Sequence, residues 1–427
     1  MKDIPSTKLA FNWLFFLVIA IAAATIVENR YGTDYAIRHV YNAWWFIALW
    51  GLLVVNGCWL LYKKKVWKQP SVLLLHLSFV VILMGALTTH LTSKRGMVHL
   101  REGETSRSYW TKDEQGLYTQ TEKMPFYLAL KDFQVQYDAD GVTPGDYISH
   151  VVIATKEGKE ETTISMNNIG RVEGYRIYQT SFDEDEQGSV FTISYDPWGT
   201  GITYAGYLLL AISMIWVSVK IQNSKLPLRS RGPLATPSAF KIQNSEPKEK
   251  KEKLSENSKS DIQSLPLGGD GEGSFNSKFS TVLLTIAGTA MASYMVIAIS
   301  RSPLVPVLRS PFLFVHVGTI MLSYILLVVS IIRREVLRPA VFLLATGIFL
   351  GALWANVSWG TYWSWDPKES WALITLLVYS VPLHHRSLPW FRSTRNYRIY
   401  SVLAFICLLM TYFGVNFLLG GMHSYAG

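Results

Sequence analysis

Cysteine is nearly absent: the 427 residues hold only Cys58 and Cys407, each inside an apolar run. No Cys-x-x-Cys spacing occurs, so a structural disulfide, a zinc site and thiol-redox chemistry are all poor expectations, and both cysteines read as packing residues. A glycine-rich phosphate loop leading into a helix is also missing, as is a nucleophile with its base, which argues against ATP-driven transport by this chain. The first apolar run lacks a small-residue cleavage site and reads as a retained helix, not a signal peptide.

What is present is apolar. Hydrophobic residues make up 49% of the chain and aromatics 13%, yet mean hydropathy is only +0.19. Apolar spans diluted by polar segments explain that mixture better than one large globular core. The net charge of +9 raises the question of nucleic acid. Much of the Lys and Arg, however, lies in short segments beside apolar runs, which is the pattern of a membrane protein and not of a basic binding face.

A spanning helix needs about 20 predominantly apolar residues. Runs near that length fall at 10–27, 43–62, 71–91, 201–219, 279–299, 312–332, 338–356, 371–384 and 399–419. The expected fold is therefore an α-helical polytopic membrane protein of about nine spans. Basic clusters follow the second run (Lys63, Lys64, Lys65, Lys68), the sixth (Arg333, Arg334, Arg338) and the eighth (Arg386, Arg392, Arg395, Arg398). All three share one side if every run spans once, and basic flanks mark the cytoplasmic side. The N-terminus is then inside and the C-terminus outside, with segment 92–200, loops 300–311 and 357–370 and the tail also outside.

Segment 92–200 alternates polar and apolar residues, as in Tyr147–Ile153 and Tyr175–Tyr178, between Gly, Asp and Pro turns. A β-rich extracytoplasmic domain, sandwich or open sheet, is expected. Between 221 and 277 Ser, Asn, Pro, Lys, Glu and Gly dominate, and Lys-Ile-Gln-Asn-Ser occurs at both 220–224 and 241–245. This composition predicts a disordered cytoplasmic linker. It divides the chain into a first membrane part, 1–220, and a second, 278–427.

The densest signal for chemistry is five tryptophans in the eighteen positions from Trp354 to Trp371, namely Trp354, Trp359, Trp363, Trp365 and Trp371, around Asp366-Pro-Lys368-Glu369. One reading is an aromatic belt, since Trp is enriched where the bilayer meets water. The other is a platform on which a planar macrocycle stacks, with Asp366 and Lys368 orienting the ligand or an incoming peptide instead of forming a solvated turn. His76 lies about six residues into the third run, His384 ends the eighth, His316 lies near the outer end of the sixth and His423 lies in the tail. An ionisable residue in a span is a functional candidate, and imidazole is the commonest metal ligand. His39, His90, His99 and His150 read as structural or solvated.

The tryptophan-rich stretch resembles the "WWD" signature of the haem-handling superfamily, in its CcsA branch. Leu418–Tyr425 with His423, Phe314–Tyr324 with His316, and Leu383–Arg386 are similar to the same branch. Glu28–Thr33, the helix of His76, and Asn167–Gln179 resemble the ResB (CcsB) family. Joined by the linker, the two parts resemble the fused CcsBA cytochrome c synthases, although these are often much longer and carry more helices ahead of the histidine corresponding to His316.

That resemblance implies haem b as bound ligand and substrate. His76 with His384 would hold it at the inner side, and His316 with His423 at the outer side beside the tryptophans. The family pattern, a histidine directly after leucine and two before arginine, selects His384 over His385. It also implies export of haem across a bacterial inner membrane and its attachment, through the two vinyl groups, to the Cys-x-x-Cys-His thiols of apocytochrome c. Asp366 joins His316 and His423 in the catalytic set, and thiol-reducing proteins are implied as partners. A haem transporter that delivers to a separate ligase remains an alternative, as does a b-type electron-transfer subunit. A ligand in a tail beyond Gly420-Gly421 argues against the latter, because rigid electron-transfer ligands rarely follow a flexible hinge.

Overall fold

The computed structural model describes residues 7–113, 116–137, 144–225 and 310–419. The run at 279–299, the stretch 226–277 of the expected linker and the tail with His423 lie outside these residues. The described residues up to Ser218 and from Ser310 onward belong to one compact unit.

Eight principal helices are described: α1 (Thr7–Tyr31), α2 (Trp44–Lys63), α3 (Pro70–Thr92), α4 (Gly199–Lys225), α5 (Pro311–Ser330), α6 (Leu337–Trp359), α7 (Pro367–Ser380) and α8 (Thr394–Leu409). Proline stands in the first turn of α3, α5 and α7, where its missing N–H costs nothing. Among the described residues seven helices are long and apolar enough to cross a membrane; α8 qualifies through its continuation, a π-helical turn at Met410–Gly414 and a short α-helical one to Phe417. Helix α7 has 14 residues and runs on as a 3₁₀ turn to His384. The chain is thus a multi-pass helical membrane protein. Helix α4 continues to Lys225, past residue 221 where the sequence changes composition.

Helices α3 and α4 approach closely because Gly206 leaves room for Ile82; a Cβ there would lie 2.6 Å from Ile82 Cγ1. The largest apolar cluster joins Leu210, Leu327, Leu344, Tyr379 and Tyr397, from α4 through α8. A second joins Leu17, Ile21, Tyr41, Phe46 and Ile374, so α1 and α2 pack on α7.

Between α3 and α4 lies one eight-stranded antiparallel sheet: β1 (Lys94–Arg101), β2 (Thr105–Lys112), β3 (Tyr118–Tyr137), β4 (Pro144–Ala154), β5 (Lys159–Ile164), β6 (Gly170–Val172), β7 (Tyr175–Phe182) and β8 (Gly188–Tyr195), ordered β5-β4-β3-β2-β1-β8-β7-β6. It is not a two-layer sandwich. Edge strands β5 and β6 are consecutive in sequence, with the Ser165–Asn168 bridge in the turn between them, and the sheet curls into a barrel-like form around one core of Val98, Phe126, Leu128, Ile164, Ile177 and Phe191. In β3, Met124, Phe126, Leu128 and Leu130 are buried at every second position; a bulge between Leu130 and Asp132 then shifts the pattern so that Phe133 turns inward. That is the one-residue reset a bulge produces.

Strand β8 is buried on both faces. Phe191 and Ile193 fill the barrel, while Ser194 meets the segment after α6. The helical bundle therefore has a sheet end, carrying the barrel and the tryptophans, and a basic end, where α2 gives way to α3, α5 to α6, and α7 to α8.

Candidate functional site

At the basic end, His76 on α3 and His384 after α7 face each other with ring centroids 6.0 Å apart and planes crossed at 75°. The helical ladder positions both. His76 Nδ1 lies 2.8 Å from Val72 O and His384 Nδ1 3.1 Å from Ser380 O, each the carbonyl four residues back. A carbonyl only accepts, so in the neutral ring the proton sits on Nδ1 and Nε2 carries the lone pair. This arrangement fixes tautomer and orientation in metal-binding histidines. Metal–imidazole bonds of about 2 Å fit between two rings at this separation. Phe11 of α1 closes the site with its ring edge-on to His384 at 5.6 Å. His385 sits beside a different group, with Arg334, Arg338 and Arg386 acting on its charge.

At the sheet end, His316 on α5 is held against α6. Its Nδ1 bonds Gly347 O at 2.7 Å, and a Cβ on Gly351, one turn further, would lie 2.5 Å from its Cε1. The glycine there is a steric requirement of the ring's seat.

The five indoles do not form one flat stack. Trp365 stacks on Tyr41 at 4.4 Å and meets Phe46 and Trp363 edge-on. Trp371 packs in the same cluster and donates its Nε1–H to Thr25 Oγ1 at 3.2 Å. Trp354 is buried and edge-on to Trp359, the most exposed of the five at 37%. The indole N–H groups of Trp354 and Trp363 are buried without an acceptor among the described residues, an uncommon condition in folded proteins. Trp365 also adopts φ +60°, a conformation that is an outlier for a bulky residue. Its stacking on Tyr41 and edge-on contact with Phe46 hold it there.

Asp366 is buried and caps α7, accepting Lys368 N–H at 2.8 Å. Lys368 Nζ reaches Asn416 Oδ1 at 3.2 Å, which ties the loop to the last helical turn before the tail. Glu369 accepts from Ser364 N and Oγ.

Residues without a role in the sequence reading complete this end. Glu28 of α1, inside the Glu28–Thr33 segment, is 5% exposed and accepts from Thr33 Oγ1 at 2.8 Å, while its Oε2 is buried without a partner. A carboxylate within an apolar run is a recognisable signal. Four contacts seat the barrel on the tryptophan segment: Arg95 Nη2 to Trp359 O (3.1 Å), Arg176 Nη1 to Asn356 Oδ1 (3.0 Å), Tyr178 OH to Asn356 O (3.1 Å) and Ser194 Oγ to Gly360 O (3.3 Å). Burial pushes the Tyr178 phenol up from its ordinary pKa, so it stays a protonated donor. Asn356 passes the network on by donating to Tyr204 OH at 2.6 Å. Arg95, Arg176 and Tyr178 are ordinary outward strand positions by sequence, and nothing local marks them.

Of the remaining histidines, His39 stacks on Tyr35 at 4.0 Å, His99 bonds Asp183, and His150 contacts Thr163 Oγ1 at 3.3 Å.

These features define a multi-pass membrane protein with a histidine pair at one end of its helical bundle and, at the other, a tryptophan-rich segment seated against a β-barrel. Residues 56–204 match the ResB-like family and residues 331–423 match the family described as cytochrome C assembly protein. The chain thus carries a ResB-like stretch in its first half and a cytochrome C assembly stretch in its second, an arrangement consistent with a fused CcsBA. It is 27% identical over 302 residues to protein NrfI of Wolinella succinogenes, covering 48% of this chain and 33% of that protein. It is 34% identical over 172 residues to the cytochrome c biogenesis protein CcsA of Guillardia theta (29% and 57%), and 51% identical over 82 residues to CcsA of Oenothera argillicola (19% and 25%). The chain thus spans between a quarter and just over half of the length of these relatives.

Proposed function

We propose that this chain takes up haem b at His76 and His384 on the cytoplasmic side of a bacterial inner membrane, delivers it to His316 and His423 on the opposite side, and joins it to apocytochrome c as a holocytochrome c synthase. The observation that carries this reading is the pairing of His76, from the ResB-like half, with His384, from the CcsA-like half, at 6.0 Å. Two oriented neutral imidazoles suit an iron held from both faces, where axial ligands set redox potential and exclude stray ligands. Orientation follows from the basic end of the bundle, where all three Lys and Arg clusters gather.

In the joining step, each of two cysteine S–H bonds adds across one haem vinyl group, giving a thioether with no leaving group. The protein must hold the ring in one orientation while the thiols arrive. Trp359, exposed beside the buried Trp354, is the indole best placed to meet a macrocycle, and the barrel fixes its segment through Arg95, Arg176 and Tyr178. The histidine of the incoming Cys-x-x-Cys-His motif displaces one ligand. His316, locked between two glycines of α6, is the one that stays. His423 follows Gly420-Gly421, whose missing side chains widen backbone choice, and is the one that yields. Thiol-reducing proteins keep the acceptor cysteines competent.

Co-expression with a c-type apocytochrome, in cells lacking other biogenesis genes, tests the reading. Covalently bound haem on the cytochrome is the expected result. Haem accumulation on this chain without covalent product would make it a transporter serving a separate ligase. Redox turnover with neither would point to an electron-transfer subunit.

A further inference from the structure

The basic end carries more cations than orientation requires, and they divide into two groups. Arg334, Arg338 and Arg386 act on His385, and Arg338 and Arg386 act on each other. Lys64 stands apart. It caps α2, and its Nζ donates to Ser387 Oγ at 2.6 Å, across 323 residues of sequence. Ser387 in turn donates its N–H to His384 O at 2.8 Å. The ammonium is therefore held over the turn that presents His384, and the two groups interact through space. A lysine that serves only as a flank can extend into solvent or lipid headgroups; this one, although exposed, is bonded to the turn of a candidate ligand.

We propose that Lys64 is a positioning and specificity residue of the His76–His384 site and reads a carboxylate on the edge of the macrocycle. This rests on the proposed haem-binding role of the pair. Haem carries two propionates on one edge, and with its iron between His76 and His384 that edge can turn toward the basic end. Lys64 exchanges its neutral partner, the Ser387 hydroxyl, for a carboxylate, and a charge-assisted bond is roughly twice as strong as a neutral one. The ring is thereby admitted in one orientation, propionates toward the basic end, and macrocycles lacking carboxylates are held less well. The proposal separates His384 from His385, since the lysine is bonded to Ser387, whose N–H is in turn bonded to His384 O.

The experiment uses the purified full chain with His316 and His423 both replaced, the background called wild type below, so that only the basic-end site is read. It is stripped of haem and titrated with haem b or with its dimethyl ester, which keeps the ring and iron but has no carboxylate. The wild type should retain the free acid by about tenfold over the ester, the size of one charge-assisted bond. Lys64→Met should bring the two ligands to near parity, through weaker retention of the acid, while the bis-imidazole absorption signature persists for whatever binds. Lys64→Arg should keep the preference, and Arg338→Gln, on the His385 side, should leave it unchanged. Equal retention of acid and ester by the wild type, or an undiminished preference in Lys64→Met, overturns the proposal. A wild type whose bound haem lacks the bis-imidazole signature, with His76→Gly and His384→Gly binding as well as it does, overturns the reading of the pair and this proposal with it.

Discussion

At the basic end two histidines from opposite halves of the chain face each other across 6.0 Å, whereas at the sheet end His316 is pressed into a neighbouring helix and five indoles divide among separate contacts. The first is a pair of facing imidazoles whose geometry comes from two helix ends and two i−4 carbonyls. The second is a surface assembled from many parts: α5, α6, the loop to α7, the last turn before the tail, and the outer face of the barrel. The difference teaches where tolerance lies. Few residues make the basic-end pair, so single changes there should be severe. The sheet end spreads its support over several polar contacts and should lose function by degrees.

The largest effect expected is at the pair. His76→Gly or His384→Gly should lower copurifying haem by more than about tenfold, the order of effect even an outer-shell change produces at metal sites. Added imidazole should restore it by filling the vacant position. A His385→Gly protein that loses haem while His384→Gly keeps it would reverse the assignment. Next comes Gly351→Val, which drives a side chain into the His316 ring. Overpacking of this kind costs about 1–3 kcal/mol, and it should alter ligation at the sheet end while the basic-end signature is unchanged. Equal loss at both ends would show one shared site and break the comparison.

Asn356→Ala should have a smaller effect. It removes the acceptor of Arg176 and the donor to Tyr204, at about 1–3 kcal/mol for groups left unsatisfied. The barrel should become more sensitive to protease while basic-end haem is retained. Unchanged protease resistance would mean that the apolar contacts alone seat the barrel.

The smallest effect belongs to the barrel's own surface. Glu122 accepts from Lys94 at 2.9 Å and from Tyr109, and the Lys94 hydrogen bond first, with its charge, holds its pKa below the ordinary value. A depressed carboxylate pKa adds stability above the unfolded value of about 4.3, and that stability is lost as pH falls through the folded value. Both side chains are well exposed, so Glu122→Gln should cost below about 1 kcal/mol at neutral pH. The gap between variant and wild type in thermal unfolding should close in acid. A gap that widened in acid would contradict this account.

Much of this was legible from the residues because it is written in local pattern. Runs of apolar residues located the helices to within a few positions, and alternation at 147–153 and 175–178 located β4 and β7. Helix α7 is the instructive exception: its 14 residues hold Pro367 at one end and Pro382 just beyond the other, so it is short for a span. The curling of the sheet into a barrel-like form was not legible, since bringing the edges β5 and β6 round depends on accumulated twist and not on any one segment. Nor was the seating of the barrel. Arg95, Arg176 and Tyr178 look like solvent-facing residues on alternating strands, and only the tertiary fold brings Asn356 and Trp359 beneath them. The tryptophan segment was visible as a cluster, but its division was not, because Tyr41 and Phe46, which take up Trp365, lie more than 300 residues away in sequence.

The central claim is that His76 and His384 hold one iron between the two halves of the chain. Low-temperature electron paramagnetic resonance of the oxidised, haem-loaded protein tests it most directly, with His316 and His423 both replaced so that only the basic-end site contributes. The account predicts a low-spin bis-imidazole signal that either His76→Gly or His384→Gly abolishes and added imidazole restores in both. A bis-imidazole signal that survives in either of those variants without imidazole would contradict it.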